Sequence, residues 1–101
     1  MKQGKCMISI NVEFVGTLQG KVGKRKLKIA LDESATVLTL IQALARCFKL
    51  NERIFFEIET INSKPSVLIL VNGKEISILN SLNTILEDHV SVTFVPISHG
   101  G

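Results

Sequence analysis

The chain has 101 residues, 46% of them apolar, with five Phe, no Trp or Tyr, and a formal charge of +3. A chain of this length holds one domain with one aliphatic core and little room for an enclosed catalytic cleft, because it buries only about two-thirds of its unfolded surface. No apolar run approaches the ~18–20 residues of a membrane span, and Met1-Lys2-Gln3-Gly4-Lys5-Cys6 lacks the apolar stretch of a signal peptide, so a cytoplasmic protein is expected.

Residues 1–6 read as a flexible leader, and the domain is expected over 7–96. Met7 to Gly16 alternates, with Ile8, Ile10, Val12 and Phe14 on one face and Ser9, Asn11 and Glu13 on the other, the period of a half-buried strand. Thr17 to Gly23, with Gly20 and Gly23, reads as a hairpin loop. Lys26 to Asp32 alternates again, with Leu27, Ile29 and Leu31 inward. Residues 1–50 hold nine basic residues against three acids, +6, whereas residues 51–101 hold three against six, −3. Much of the excess lies in Lys21, Lys24, Arg25, Lys26 and Lys28. Without interleaved aromatics for base stacking, this stretch reads as a solvated loop and strand face, and no direct nucleic-acid partner is expected.

The period then changes. Val37, Leu40, Ile41, Leu44 and Phe48 form one stripe of an amphipathic helix, with Thr36 as the expected N-cap, Ser34 as the second choice, and Lys49 near the negative pole. Cys47 falls on the apolar side of this helix and reads as a small hydrophobe. Cys6 and Cys47 share no metal or redox spacing, so both are expected as free thiols. Residues 51–66 are ambiguous: Ile54, Ile58 and Ile61 fit a helical face, Ile54, Phe56 and Ile58 a strand. A short second helix ending before Pro65 is the expectation.

Val67 to Val71 is a continuous aliphatic run, expected as a central strand buried on both faces. Asn72-Gly73 is a strong hairpin signal, since both central positions of such a turn take φ > 0. Lys74 to Ile78 is the expected return strand, and Asn80 to Asp88 a connector containing Leu82, Ile85 and Leu86. Val90, Val92 and Phe94 alternate as a last strand, closed by Pro96. Ile97-Ser98-His99-Gly100-Gly101 reads as a flexible tail, which places a carboxylate on backbone without side chains and so suits entry into a narrow channel.

The order of elements, together with Val67-Leu68-Ile69-Leu70-Val71-Asn72-Gly73, Leu86-Glu87-Asp88 and Val92-Thr93-Phe94-Val95-Pro96-Ile97-Ser98-His99-Gly100-Gly101, resembles the β-grasp sulfur carriers and ubiquitin-like modifiers: MoaD, ThiS, the small archaeal modifiers and the ubiquitin-related modifier. The resemblance covers residues 7–101. It implies an α+β, β-grasp (ubiquitin-like) fold: a mixed four- to five-stranded sheet, the final strand lying centrally, one main helix packed on one face, and the tail at a sheet edge. Two departures stand out. The family's Leu-x-Asp-Gly-Asp turn is replaced by Leu86-Glu87-Asp88-His89-Val90, read as shortened, and the tail has one Pro where MoaD usually has two.

The same resemblance implies a carrier and no catalyst. An adenylating, ubiquitin-activating-like enzyme would use ATP and Mg²⁺ to activate the Gly101 carboxylate. Sulfur would then give a thiocarboxylate for tRNA thiolation or molybdopterin synthesis, or a target lysine would give an isopeptide bond. No catalytic residue, bound cofactor or metal ligand is expected in the chain itself. Gly100 and Gly101 would be the reacting end, with His99, Ser98, Ile97 and Pro96 recognised as tail. Partner docking is assigned to the sheet face at Val95 and Ile97 with Lys26, Lys28 and Lys74, positions equally expected of ordinary strand surface. Two other destinations stay open: the small subunit of a molybdopterin synthase, whose partner is the large subunit or another sulfurtransferase, and a β-grasp binding module without tail chemistry.

Overall fold

A computed structural model describes residues 7–49 and 67–96. The leader with Cys6, the ambiguous stretch 51–66 and the tail from Ile97 onward lie outside the described residues. Five strands form one sheet: β1 (Met7–Phe14), β2 (Lys26–Asp32), β3 (Val67–Val71), β4 (Lys74–Glu75) and β5 (Val90–Pro96), in the order β2-β1-β5-β3-β4. Only the central β1–β5 pair is parallel; the others are antiparallel. The final strand therefore lies in the middle, as the long connector before it allows.

One face of the sheet carries the core. The alternation of β1 buries Ile8, Ile10, Val12 and Phe14, and that of β5 buries Val90, Val92 and Phe94. The long helix, α2 (Val37–Phe48), lays Val37, Leu40, Ile41 and Leu44 against them. Its start is as expected: the Thr36 hydroxyl accepts the Thr39 N–H at 3.3 Å. Lys49 ends it in the left-handed region at φ 56°, its N–H bonding back to Arg46 O at 3.4 Å.

Several expectations are corrected. The β1–β2 connection is a short helix, α1 (Thr17–Val22), whose Leu18 and Val22 are buried one turn apart. Six residues interrupted by Gly20 are too short to show a helical period. The return strand stops after Glu75, and Ile76–Ile78 turns into a 3₁₀ segment that buries Ile76. The run Val67–Val71 is buried on one face only; Leu68 and Leu70 are half-exposed on the other, where no described helix covers them. Cys47 is exposed. At 100° per residue it falls to one side of the Leu40-Leu44-Phe48 line, so the last turn carries it off the packed face.

The turns are built by specific polar atoms. Asn72 and Gly73 take φ 51° and 84°, as the dipeptide predicts. The Asn72 carboxamide oxygen also accepts Ser91 N–H at 3.0 Å, tying this turn to β5. The turn before β5 keeps its full length: Val90 N–H bonds to Glu87 O at 3.1 Å, with His89 at φ 66° where the family motif has glycine. It docks on β1 through Ser9, whose N–H donates to Asp88 Oδ1 at 2.7 Å and whose C=O accepts His89 N–H at 2.7 Å. A non-glycine residue in this region costs about 1–2 kcal/mol. His89→Gly should therefore raise the melting temperature by a few degrees, measured by circular dichroism; a lower value would show that the His89–Asp88 contact at 3.4 Å outweighs the backbone cost.

Candidate functional site: the tail exit and the outer sheet face

The tail begins at the end of the central strand, not at a lateral edge of the sheet. Around its base three elements converge. Val15 N–H donates to Phe94 O at 3.0 Å, Pro96 pairs with Val67 at the start of β3, and the rings of Phe14 and Phe94 stack beneath at 5.6 Å. Gly16, at φ 63°, lies against the Pro96 ring so closely that a Cβ there would stand 3.2 Å from its Cγ. A side chain at position 16 would press on Pro96, the last residue of β5, so the glycine is required by this close approach as well as by φ. The base of the tail is thus a fixed point on the rigid centre of the sheet.

The same end of the sheet carries the basic stretch. β2 starts here, and α1 touches β5, which puts Lys21, Lys24, Arg25 and Lys26 at the end of the sheet where β5 stops. None of these four forms an ion pair among the described residues. The stretch is exposed, as a solvated loop and strand face should be, and it lies at the end of the sheet where β5 stops.

The outer face has two halves. Leu68 lies opposite Val95, and Leu70 opposite Thr93, which makes an apolar strip over β3 and β5. Beyond it, Glu13 lies opposite Thr93 on one side and Lys26 on the other, and Asn11 opposite Lys28. Those residues with Ser91 line a shallow concavity of about 370 Å³. Val95, Lys26 and Lys28 are therefore all on the outer face, as the alternation places them. Lys74 is not among them. It pairs with Val71, whose side chain is buried on the helix side, so Lys74 lies toward that side at the far edge. Ile97, Ser98, His99, Gly100 and Gly101 lie outside the described residues. The reading of the sequence missed Leu68 and Leu70, because an unbroken apolar run does not say which of its two faces is covered.

Among the described residues no three His, Cys, Asp or Glu side chains come together, and no described helix is long and apolar enough to cross a membrane. The site is a surface with a strand end. Its last described residue is Pro96, at the end of the central strand.

The model of the ubiquitin-related modifier family (Urm1) matches residues 9–101, which includes Gly100 and Gly101. The chain belongs to that family.

Its similarity to individual relatives agrees. It is 30% identical over 101 residues to ubiquitin-related modifier 1 of Saccharomyces cerevisiae (strain YJM789), covering 94% of this chain and 100% of that protein. It is 30% identical over 95 residues to small archaeal modifier protein 3 of Haloferax volcanii, covering 93% of this chain and 100% of that one. Among solved structures, small archaeal modifier protein 1 from Methanosarcina acetivorans superposes with a TM-score of 0.75 over 95% of this chain and 99% of that one, at 24% identity. That likeness shows the fold: a ubiquitin-like β-grasp. The ubiquitin-related modifier family and its structural neighbours are small modifier and carrier proteins, and this chain is one of that kind.

Proposed function

We propose that this family member is a sulfur carrier and protein modifier whose reacting group is the Gly101 carboxylate. The observation that carries the reading is the family match running through Gly100-Gly101 on a chain whose tail base is locked at the sheet centre by Gly16, Phe94 and Pro96. Seven residue steps separate Phe94 from Gly101; at about 3.3 Å each they reach roughly 23 Å, enough to deliver a terminus into a partner's active site.

A carboxylate is a poor acyl donor: it is anionic and has no leaving group. In the proposed cycle a Gly101 oxygen attacks the α-phosphorus of ATP on an adenylating partner, and pyrophosphate leaves. A sulfur nucleophile then displaces AMP to leave a thiocarboxylate, or a lysine amine displaces it to form an isopeptide bond. ATP, Mg²⁺ and the sulfur source belong to the partners. This chain supplies the acyl group, its placement and the docking face. His99 and Ser98 serve as spacer and recognition elements, since no acid or nucleophile accompanies them at a catalytic spacing.

Docking falls to the strip of Leu68, Leu70 and Val95, apolar and rimmed by Glu13, Lys26 and Glu75, an arrangement of the kind that binds proteins. Leu68→Asp should leave the fold intact, because the side chain is half-exposed, and should raise the adenylating partner's KM for the carrier by about tenfold, the usual scale of a hot-spot contact. An unchanged KM would remove the strip from the docking face.

The proposed function is tested by the intact mass of N-terminally tagged protein purified from its native cells, with and without a thiol-selective alkylating reagent. Sulfur in place of one oxygen at Gly101, or lysine-linked conjugates, is the expected result. A plain carboxylate and no conjugates under several growth conditions would leave a binding domain with an inert end.

A further inference from the structure

β2 is the long open edge of the sheet among the described residues; the opposite edge, β4, has only two residues. The direction of its free backbone groups follows from the bonding phase. Phe14 N–H donates to Arg25 O at 2.8 Å, and the β1–β2 register steps on from that pair. Narrow and wide pairs alternate along an antiparallel ladder, so Leu27, Ile29 and Leu31 bond to β1. Lys28 and Ala30 therefore aim their N–H and C=O groups outward. An unpaired row of this kind is a template for another strand.

The sequence of the edge, Lys26-Leu27-Lys28-Ile29-Ala30-Leu31-Asp32, is complementary to itself when reversed. Turned about Ile29, it sets Lys26 against Asp32, Leu27 against Leu31, and Lys28 against Ala30. Only this register uses all seven residues, and shifting it by two in one direction sets Lys28 against Lys28. The bonding phase agrees independently. About Ile29, outward-aimed Lys28 meets outward-aimed Ala30 twice, and Ile29 meets Ile29 as a close, non-hydrogen-bonded pair. Leu27 and Ile29 are half-buried on the helix side, so a second strand would finish covering them.

We propose that β2 pairs antiparallel with β2 of a second copy of this chain, about a two-fold axis at Ile29, joining two five-stranded sheets into one of ten. Both α2 helices lie on the same face of that sheet. Because β5 runs antiparallel to β2, the two-fold sends the two tails out at opposite ends, so neither tail exit is covered. The interface is small and its outer rim charged, so it is a reversible dimer that weakens with salt.

Sedimentation velocity of the full chain over a wide concentration range, at low and high salt, tests this. A concentration-dependent monomer–dimer equilibrium that weakens with salt is expected. Ala30→Pro removes an N–H that β1 does not use, so the fold survives. The two lost intersubunit bonds per dimer should raise the dissociation constant about tenfold or more. Lys26→Asp and Asp32→Lys should each weaken the dimer, and the double exchange should restore it, which decides the matter even if Ala30→Pro fails to fold. A monomer at every concentration, or a dimer indifferent to Ala30→Pro and to the charge exchange, overturns the proposal.

Discussion

Deleting Gly100 and Gly101 should reduce sulfur loading and conjugation to background while leaving the melting temperature unchanged. The effect is all-or-none because the proposed chemistry takes place at one carbon. Deletion moves the carboxylate onto His99, two residue steps or about 7 Å short of its former reach, and onto a residue with a side chain where a narrow channel would accept only bare backbone. Displacement of about 1 Å at a reacting atom already costs on the order of a hundredfold. The fold is expected to survive because the deletion leaves whole the described sheet, in which Pro96 pairs with Val67 and lies against Gly16. The measurement is alkylation-coupled intact mass of the truncated and full chains from the same cells. Loading of the truncated chain at the level of the full one would move the reaction away from the tail altogether.

Phe94→Ala should lower stability by about 3–5 kcal/mol, the range for emptying a packed aromatic site. Phe94 is fully buried on the central strand, stacked on Phe14 at 5.6 Å, and its carbonyl accepts Val15 N–H. The cavity would open where β1, β3 and β5 all meet, so it has little freedom to collapse. Against a total of about 5–15 kcal/mol for a domain, this loss removes about a fifth or more of the margin, and the melting temperature should fall by about 12 °C or more, at roughly 4–8 °C per kcal/mol. The neighbouring Val95→Ala, on the outer face, should cost about 1 kcal/mol or less, since its methyls are only half-buried. Urea unfolding of both variants gives the comparison, and equal losses would mean that the outer face is covered by something beyond the described strands. Phe94→Ala should also weaken tail loading in proportion to the folded fraction, whereas the Gly-Gly deletion abolishes loading in folded protein. The pair therefore separates the frame from the reacting end.

The sequence by itself determined whatever depends on near neighbours. Alternation at Ile8-Ile10-Val12-Phe14 and Val90-Val92-Phe94 set which side chains face the core. The stripe Val37-Leu40-Ile41-Leu44 made the helix, Thr36 capped it, and Asn72-Gly73 closed a hairpin, because each is a matter of backbone geometry within a few residues. The family pattern, and with it the Gly100-Gly101 end, is also written in order and spacing alone. What only the tertiary structure decided is which surfaces are covered and what stands beside what. The described helix α2 covers one face, so Leu68 and Leu70 are left half-exposed although their run reads as buried throughout, and the packing of α2 decides that Cys47, to one side of its buried stripe, meets solvent. Register with Val71 turns Lys74 away from Lys26 and Lys28. The β2–β1 and parallel β1–β5 pairings bring the basic stretch, distant from residue 96 in sequence, to the end of the sheet where β5 stops. Period two states that a strand has two faces; only the assembled layers say which one meets water, and which far-off residues share it.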